Sequence, residues 1–453
     1  MPTTLADWLS YLESLHPKTI ALGLERVAQV KQRLNLRPDF PIIVVGGTNG
    51  KGSVCAMLES MLHAAGYRVG CYTSPHLLDY NERVRIAKKQ ASDAELCAAF
   101  EKIEQARKSQ QLDSRLRGND GLSEIPLTYF EFGTLAAMQC FIEHKVDVAI
   151  LEVGLGGRLD AVNVFDNDCA VVTNVDIDHT DYLGDTREQI AFEKAGIFRA
   201  GKVAIFGDRD MPATIASEAQ RIGAELWRLG REFSFEEGNS EQPLTLALSQ
   251  RERGLKQWDY RSAVGARNSL PYPALRGAFQ LHNASAALAA LDALRDKLPV
   301  GMEAARRGLV EVALPGRFQV VPSKPALILD VAHNPHAARS LAQNLASLPP
   351  CPCTYAVFAM LRDKDMAGVA RALKDQVDVW LVAGIHAPRG ATAAELAQVL
   401  DAEKVKGAIM AFATTTEALQ HACNEAAEND RIAAFGSFYT VAEVMRARGL
   451  RCD

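Results

Sequence analysis

At 453 residues the chain is too long for a peptide-sized module and has room for about two to four domains of ordinary size. Lys plus Arg number 50 and Asp plus Glu 55, a net charge of -5, so no bulk positive field exists to hold a nucleic-acid backbone or an anionic membrane, and any bound polyanion must be gripped locally. An apolar fraction of 48% with 23% charged residues excludes a disordered, collagen-like or coiled-coil chain.

The N-terminal MPTTLADWLSYLESL sets Leu5, Trp8, Leu9, Leu12 and Leu15 at helical spacing behind a Thr4/Asp7 capping pair. Asp7 and Glu13 break the uncharged stretch that a secretory signal needs, so this reads as a docked amphipathic helix. No run approaches the roughly 18 apolar residues of a membrane span. From Pro41 onward short β-branched runs alternate with longer helical patterns, as in βα units on a parallel sheet. IIVV (42–45), VDVAILEV (146–153), CAVVTNV (169–175) and VAIFG (203–207) are the strands. Val54, Met57, Leu58, Met61 and Leu62 form one face of a helix capped by Gly66, and TREQIAFEKAGIF is a further helical stretch.

A second series starts at ALILDVA (326–332) and runs through TYAVFAM, VDVWLVA, GAIMAFA and RIAAFGS, each followed by a helix-compatible segment. Pro315 and Gly316 interrupt a helical pattern between the two series, which divides the chain into residues 1–314 and 315–453. The fold class is therefore α/β with two parallel sheets. The polar, turn-rich stretches 108–124 and 236–258 fit neither series and read as surface insertions with no assigned role. Within them DSRLRGND and PLTLALSQRERG resemble peptides translated from dispersed repetitive DNA elements of bacterial genomes. Nine cysteines, an odd number without a CxxC pair or zinc-finger spacing, read as reduced, mostly buried thiols of a cytoplasmic protein.

The strongest local signal is Gly46-Gly47-Thr48-Asn49-Gly50-Lys51-Gly52-Ser53, set between a buried strand and an amphipathic helix. Glycines there let backbone N–H groups turn toward an anion, the helix N-terminus adds donors, and Lys51 supplies a point charge for β and γ phosphates. The strict GxxxxGK[ST] pattern is broken, since Val45 replaces its first Gly and Gly52 its Ser or Thr. A second glycine loop, Gly154 to Asp160, follows the VDVAILEV strand, and Glu152 at that strand's carboxyl end stands where a magnesium ligand belongs. Thr173-Asn174-Val175-Asp176-Ile177-Asp178-His179 gathers polar groups at the same edge, without the lysine of a guanine-reading NKxD motif. His179 taken alone reads equally well as a structural residue or a ligand, and Lys194 taken alone reads as an exposed helix residue.

GTNGKGS, SPHL (74–77), LTYFEF (127–132), EVGLGGRLDA (152–161), DHTDYLG (178–184), EKAGIF (193–198), LPGRFQ (314–319) and DVAHNPHA (330–337) occur together and in order. On these segments the chain resembles the Mur ligase superfamily, and within it the bifunctional dihydrofolate synthase/folylpolyglutamate synthase family, from about Trp8 to Val444 apart from the insertions. The resemblance implies an N-terminal P-loop ATPase domain with a parallel-rich sheet, a smaller C-terminal Rossmann-like domain on the glutamate side, and an active site between them. It implies ATP contacts at Thr48, Asn49, Gly50, Lys51, Asn283, Arg317 and Asp330. Magnesium falls to Ser74, Glu152 and His179, with a second metal site oriented by a carbamylated Lys194. The pterin positions are Ile20, Ala21 and Leu22, Thr128, Tyr129, Phe130 and Glu131, and Leu159, Asp160 and Ala161. Ala21 departs from the pattern, since relatives often carry Asp there, and Asp160 is the carboxylate left to compensate.

The implied activity is ATP-dependent addition of L-glutamate to dihydropteroate and to tetrahydrofolate forms through an acyl phosphate, with His333 and Asn334 near the incoming amino acid. A monomer is expected, with no nucleic-acid or membrane partner. A cell-wall ligase of the same superfamily would need a nucleotide-sugar domain ahead of the phosphate loop, whose strand here begins near Pro41. A nucleotide-binding scaffold without ligase activity is the alternative from another class, and the intact Lys51, Glu152, His179 and Lys194 speak against it.

Overall fold

Ile42, Ile43, Val44 and Val45 form one buried strand because both faces of its sheet are covered: Ile42 and Val44 point into one apolar cluster, Ile43 and Val45 into another. The computed structural model describes residues 2–16, 20–108, 124–238 and 257–452. Its first sheet contains β1 (Ile42–Gly46), β2 (Val69–Tyr72), β3 (Val84–Ile86), β4 (Lys89–Gln90), β5 (Val148–Glu152), β6 (Cys169–Val172), β7 (Val203–Phe206) and β8 (Glu225–Arg228). They lie in the order β4-β3-β2-β5-β1-β6-β7-β8, with β3 and β4 antiparallel and the rest parallel. β1 is central, so its carboxyl end opens between those of β5 and β6, where open α/β sheets place ligands.

The helix Lys51–Ala64 packs between this sheet and the helices Gln280–Ala293 and Met302–Glu311, which buries every residue from Ser53 to Leu62. Gly66 follows its end at φ +96°. The N-terminal helix Leu5–Leu15 carries the expected Thr4/Asp7 capping box and buries Leu5, Trp8 and Leu12 against the first cluster.

A small antiparallel sheet, β9 (Phe233–Glu237), β10 (Gln257–Ser262) and β11 (Gly265–Pro271), was not legible as strands and corrects the insertion bounds. Glu236 and Glu237 pair with Asp259 and Trp258, and Trp258 is fully buried edge-on to Phe235 at 6.2 Å. Likewise Lys108 closes the helix Asp93–Lys108 and pairs with Glu104 at 2.7 Å. The remainder of the two insertions, 109–123 and 239–256, lies outside the described residues.

β12 (Gln319–Val321), β13 (Ala326–Leu329), β14 (Thr354–Phe358), β15 (Val379–Ala383), β16 (Ala408–Phe412) and β17 (Arg431–Phe435) form the second large sheet. Its order is β12-β13-β17-β14-β15-β16, parallel except for β12. Both faces are again apolar, with Ile328, Phe358 and Trp380 on one side and Leu329, Val357 and Leu381 on the other. At roughly 1.5–3 kcal/mol for each large apolar side chain removed from water, these doubly covered strands dominate the stability of both layers.

None of the nine cysteines is in a disulfide, but only four are buried and five are half-buried, which corrects the expectation of mostly buried thiols. The partly open ones lie at surface loops and helix flanks, where no sheet covers them. Among the described residues no helix is long and apolar enough to cross a membrane.

Candidate functional site

The carboxyl ends of the two large sheets face each other across a cleft of about 690 Å³. Every residue expected at the site lines it except Tyr129 and Asn334, the latter lining a neighbouring pocket instead. The Tyr129 ring packs edge-on to Tyr80 at 5.8 Å and lies 5.5 Å from the Arg83 guanidinium. The neighbouring helix start turns Thr128, Phe130 and Glu131 toward the cleft and Tyr129 away, as residues one apart on a helix must diverge.

The phosphate loop is held by backbone geometry. Gly47 has φ +135°, and a β-carbon there would overlap the Thr173 hydroxyl; Gly50 has φ +83°, and a β-carbon would press on Asn283. Thr48 N–H donates to Asn174 O and Asn49 N–H to Asn174 Oδ1, both at 3.0 Å, while the Thr173 hydroxyl donates to Asn49 O. The end of β6 thus braces the loop. Lys51 Nζ donates to Gly47 O and Thr48 O, both at 3.1 Å, so the ammonium folds over the loop's own carbonyls at the start of its helix.

Glu152 is buried at the end of β5, one oxygen accepting Ser74 N–H at 3.0 Å and the other free of hydrogen bonds among the described residues. Burial raises its carboxyl, against the opposing charge of Lys51. His179 sits in the left-handed region at φ +54°, and desolvation lowers its imidazole to about 4, leaving it neutral; its Nε2 lies 3.3 Å from Lys364 Nζ. A buried carboxylate with a spare oxygen, a serine and a neutral imidazole suit a magnesium ion that retains water and phosphate ligands. Among the described residues no group of three or more His, Cys, Asp or Glu side chains is placed to hold a metal ion by itself.

Lys194 is only 4% exposed, correcting its reading as a surface residue. The helix Arg187–Ala195 turns its last turn inward, and burial, reinforced by the charge of Lys51, lowers the amine to about 7. Asp160 is raised to about 7 by burial, although it accepts N–H groups of Leu155 at 2.8 Å and Val162 at 3.1 Å. Its first task is thus to knit the second glycine loop.

The segment Ile20–Leu22 is fastened by a residue that sequence reasoning missed. Arg26 donates to Ala21 O at 2.7 Å and pairs with Glu131 at 2.9 Å, and Gly23 N–H donates to Leu159 O at 3.4 Å. Three separate stretches are thereby drawn into one wall, and Glu131 is committed to Arg26 and to its capping box with Thr128.

On the opposite wall, Asp330 accepts Phe318 N–H and Ala332 N–H, both at 2.8 Å, beneath Arg317, whose guanidinium lies 5.0 Å from the Phe438 ring. Burial raises Asp330 and lowers Arg317. His333 is lowered to about 4 by burial, with Nδ1 2.8 Å from Val331 O and Nε2 3.9 Å from Asp178. The walls are joined directly. Asn49 and Asn334 exchange amide hydrogen bonds at 3.3 and 3.2 Å, Asn334 donates to Asp178 at 3.0 Å, and Lys364 pairs with Asp178 at 2.9 Å. Burial opposes ionisation of Asp178, but His179, Lys364 and His333 outweigh it and hold the carboxyl well below its ordinary range. Lys364 was missed as well, although a charged LRDKD loop after the TYAVFAM strand was a usable signal. It also lines a neighbouring pocket of about 310 Å³ with Arg389 and Arg339.

Residues 45–291 match the Mur ligase middle domain and residues 316–438 the Mur ligase glutamate ligase domain. The dihydrofolate synthase/folylpolyglutamate synthase of Escherichia coli K12 is 45% identical over 97% of this chain and 94% of its own length, and that of Haemophilus influenzae 38% identical over 97% and 96%. Among solved structures, E. coli FolC in complex with DHPP and ADP superposes with a TM-score of 0.87 at 44% identity, covering 99% of both chains. A bifunctional folylpolyglutamate synthase/dihydrofolate synthase with Mn, AMPPNP and L-glutamate bound reaches 0.85 at 45% identity, covering 99% of this chain and 98% of the other. With a phosphate loop on one sheet and an Asp330–Arg317 wall on the other, matched along nearly its whole length, the chain belongs to the Mur ligase family, in its dihydrofolate synthase/folylpolyglutamate synthase branch.

Proposed function

We propose that this chain is an ATP-dependent ligase that adds L-glutamate to dihydropteroate and to reduced folates. The observation that carries the reading is the single cleft in which Lys51, Glu152 and the pterin-side wall meet Asp330, His333 and Lys364 of the second sheet. Residues 1–314 hold ATP and the pterin, and residues 315–453 receive glutamate. The loop Gly47 to Ser53 cradles the phosphates, with Asn283, Arg317 and Asp330 at the rest of the nucleotide.

A carboxylate is a poor electrophile because its negative charge is delocalised. In this reading an oxygen of the pteroate or γ-glutamyl carboxylate attacks the γ-phosphorus, the bond to the β-phosphate oxygen breaks, and ADP leaves with an acyl phosphate formed. Lys51, already placed over the loop, stabilises the spreading phosphoryl charge. The glutamate nitrogen then attacks the acyl carbon, phosphate departs with the bonding pair, and the ammonium proton is lost to a base. In this reading His333, with Nε2 3.9 Å from Asp178, orients the amine. Lys364 and Arg389 are the cations offered to glutamate carboxylates. Contact between the two walls excludes water, which would otherwise hydrolyse the acyl phosphate.

Ser74, Glu152 and His179 would hold a magnesium ion, which supplies charge neutralisation for the phosphates. The low-lying Lys194 amine suits carbamylation, in which the neutral nitrogen bonds to carbon dioxide and releases a proton. The resulting anion would serve a second magnesium site. The chain acts as a cytoplasmic monomer. Glutamate-dependent ADP release with dihydropteroate, then with tetrahydrofolate, tests the reading. Turnover of both is expected, one alone narrows the branch, and neither overturns the assignment.

A further inference from the structure

Arg83 lines the cleft without a carboxylate partner among the described residues. Its Nε donates to His76 Nδ1 at 2.8 Å, and its guanidinium lies 5.4 Å from the Tyr80 ring and 5.5 Å from that of Tyr129. The adjacent acid, Glu82, is turned to the N–H groups of Leu77, Leu78 and Asp79 at 2.7 to 2.8 Å and forms no ion pair with it. The terminal Nη groups make no hydrogen bond to any described residue. A half-buried guanidinium fixed at Nε and braced by two aromatic rings, with its fork unused, is preorganised for a carboxylate.

Its place in the sheet says which carboxylate. Arg83 immediately precedes β3, beyond β2 and the Ser74 that follows it and β5 with Glu152, and its aromatic brace Tyr129 adjoins Thr128, Phe130 and Glu131. It therefore lies between the pterin-side wall and the phosphate-side groups. In a glutamylated folate the α-carboxylate occupies that same intermediate position, between the pteroyl group and the reacting γ-carboxylate. Dihydropteroate has one carboxylate, the reacting one, and nothing for Arg83 to grip. Arg446, whose Nη2 donates to Leu78 O at 3.2 Å, is a further cation lining the cleft.

Resting on the ligase reading above, we propose that Arg83 binds the α-carboxylate of the glutamylated substrate and so selects folates over dihydropteroate in one shared cleft. Arg83→Gln is compared with the wild type on both acids, and on tetrahydrofolate carrying an α-carboxamide. The KM for tetrahydrofolate is expected to rise at least about tenfold more than that for dihydropteroate, as loss of a charged fork contact implies. The carboxamide should lose its disadvantage in the variant, and Arg83→Lys should restore part of the difference. Equal rises for both acids, or an α-carboxamide penalty that persists in Arg83→Gln, would overturn the role while leaving the ligase intact. A wild-type protein that turns over neither acid would instead overturn the underlying reading.

Discussion

The two walls of the cleft are made differently. The phosphate wall is contiguous: seven residues after β1 carry it, held by backbone hydrogen bonds and by Gly47 and Gly50, which no other residue can replace without collision. The facing wall is a set of side chains from the loops after β13, β14 and β17, separated by tens of residues and held by Asp178, which belongs to the first sheet. The first is preorganised by local conformation. The second exists only when the sheets meet, so substrate-dependent movement should concentrate there.

The sharpest test of the phosphate wall is Lys51→Ala. Ligation should fall by about 10³-fold or more, since the charge stabilising the transferred phosphoryl group is gone. Near-normal ADP release in that variant would break the assignment. For the facing wall, Asp178→Asn or Lys364→Met strands one charge of a pair in which Lys364 is 8% exposed. Each should cost about 3–5 kcal/mol in urea unfolding, and Asp178→Leu with Lys364→Met together should recover much of it. Glutamate turnover should stay low in the double variant, which separates stability from function.

Gly50→Ala forces a β-carbon toward Asn283 at a positive φ. About 1–3 kcal/mol of strain should appear as weaker nucleotide binding, read by titration with a non-hydrolysable ATP analogue. The smallest effect concerns acid. His179 and His333 are lowered from 6.5 to about 4 in the fold, so the unfolded chain takes up their protons first. Their contribution is complete above about 6.5 and is eroded as pH falls toward about 4. Unfolding midpoints at pH 7 and pH 5 should differ less in His333→Gln than in the wild type, and an unchanged difference would remove His333 from the closure.

The contrast between the walls also explains what could be read from the letters. GGTNGKGS was legible because strand, glycines, lysine and helix follow one another in the chain, and Glu152 because it ends an unmistakable buried strand. Most parallel strands of both sheets were legible for the same reason, being continuous apolar runs, whereas β2 (VGCY) and β8 (ELWR) were missed because they are four residues long and interrupted by a glycine or by charged ends. The strands β9 to β11 were not, since their alternation is short and one flank lies in a polar stretch. Arg26 and Arg83 carried little signal, because a lone cation looks like any solvated charge until its neighbours are known.

Local order and periodic apolarity thus specified, from the chain alone, an α/β architecture with a glycine-rich loop and a carboxylate at the end of a neighbouring strand. Folding in three dimensions settled which charges are buried, that Tyr129 braces an arginine instead of touching the cleft, and that Asp178 couples one sheet to the other. The reason is physical. Backbone conformation depends on neighbours in sequence, whereas desolvation and ion pairing depend on neighbours in space, here brought together from opposite ends of the chain.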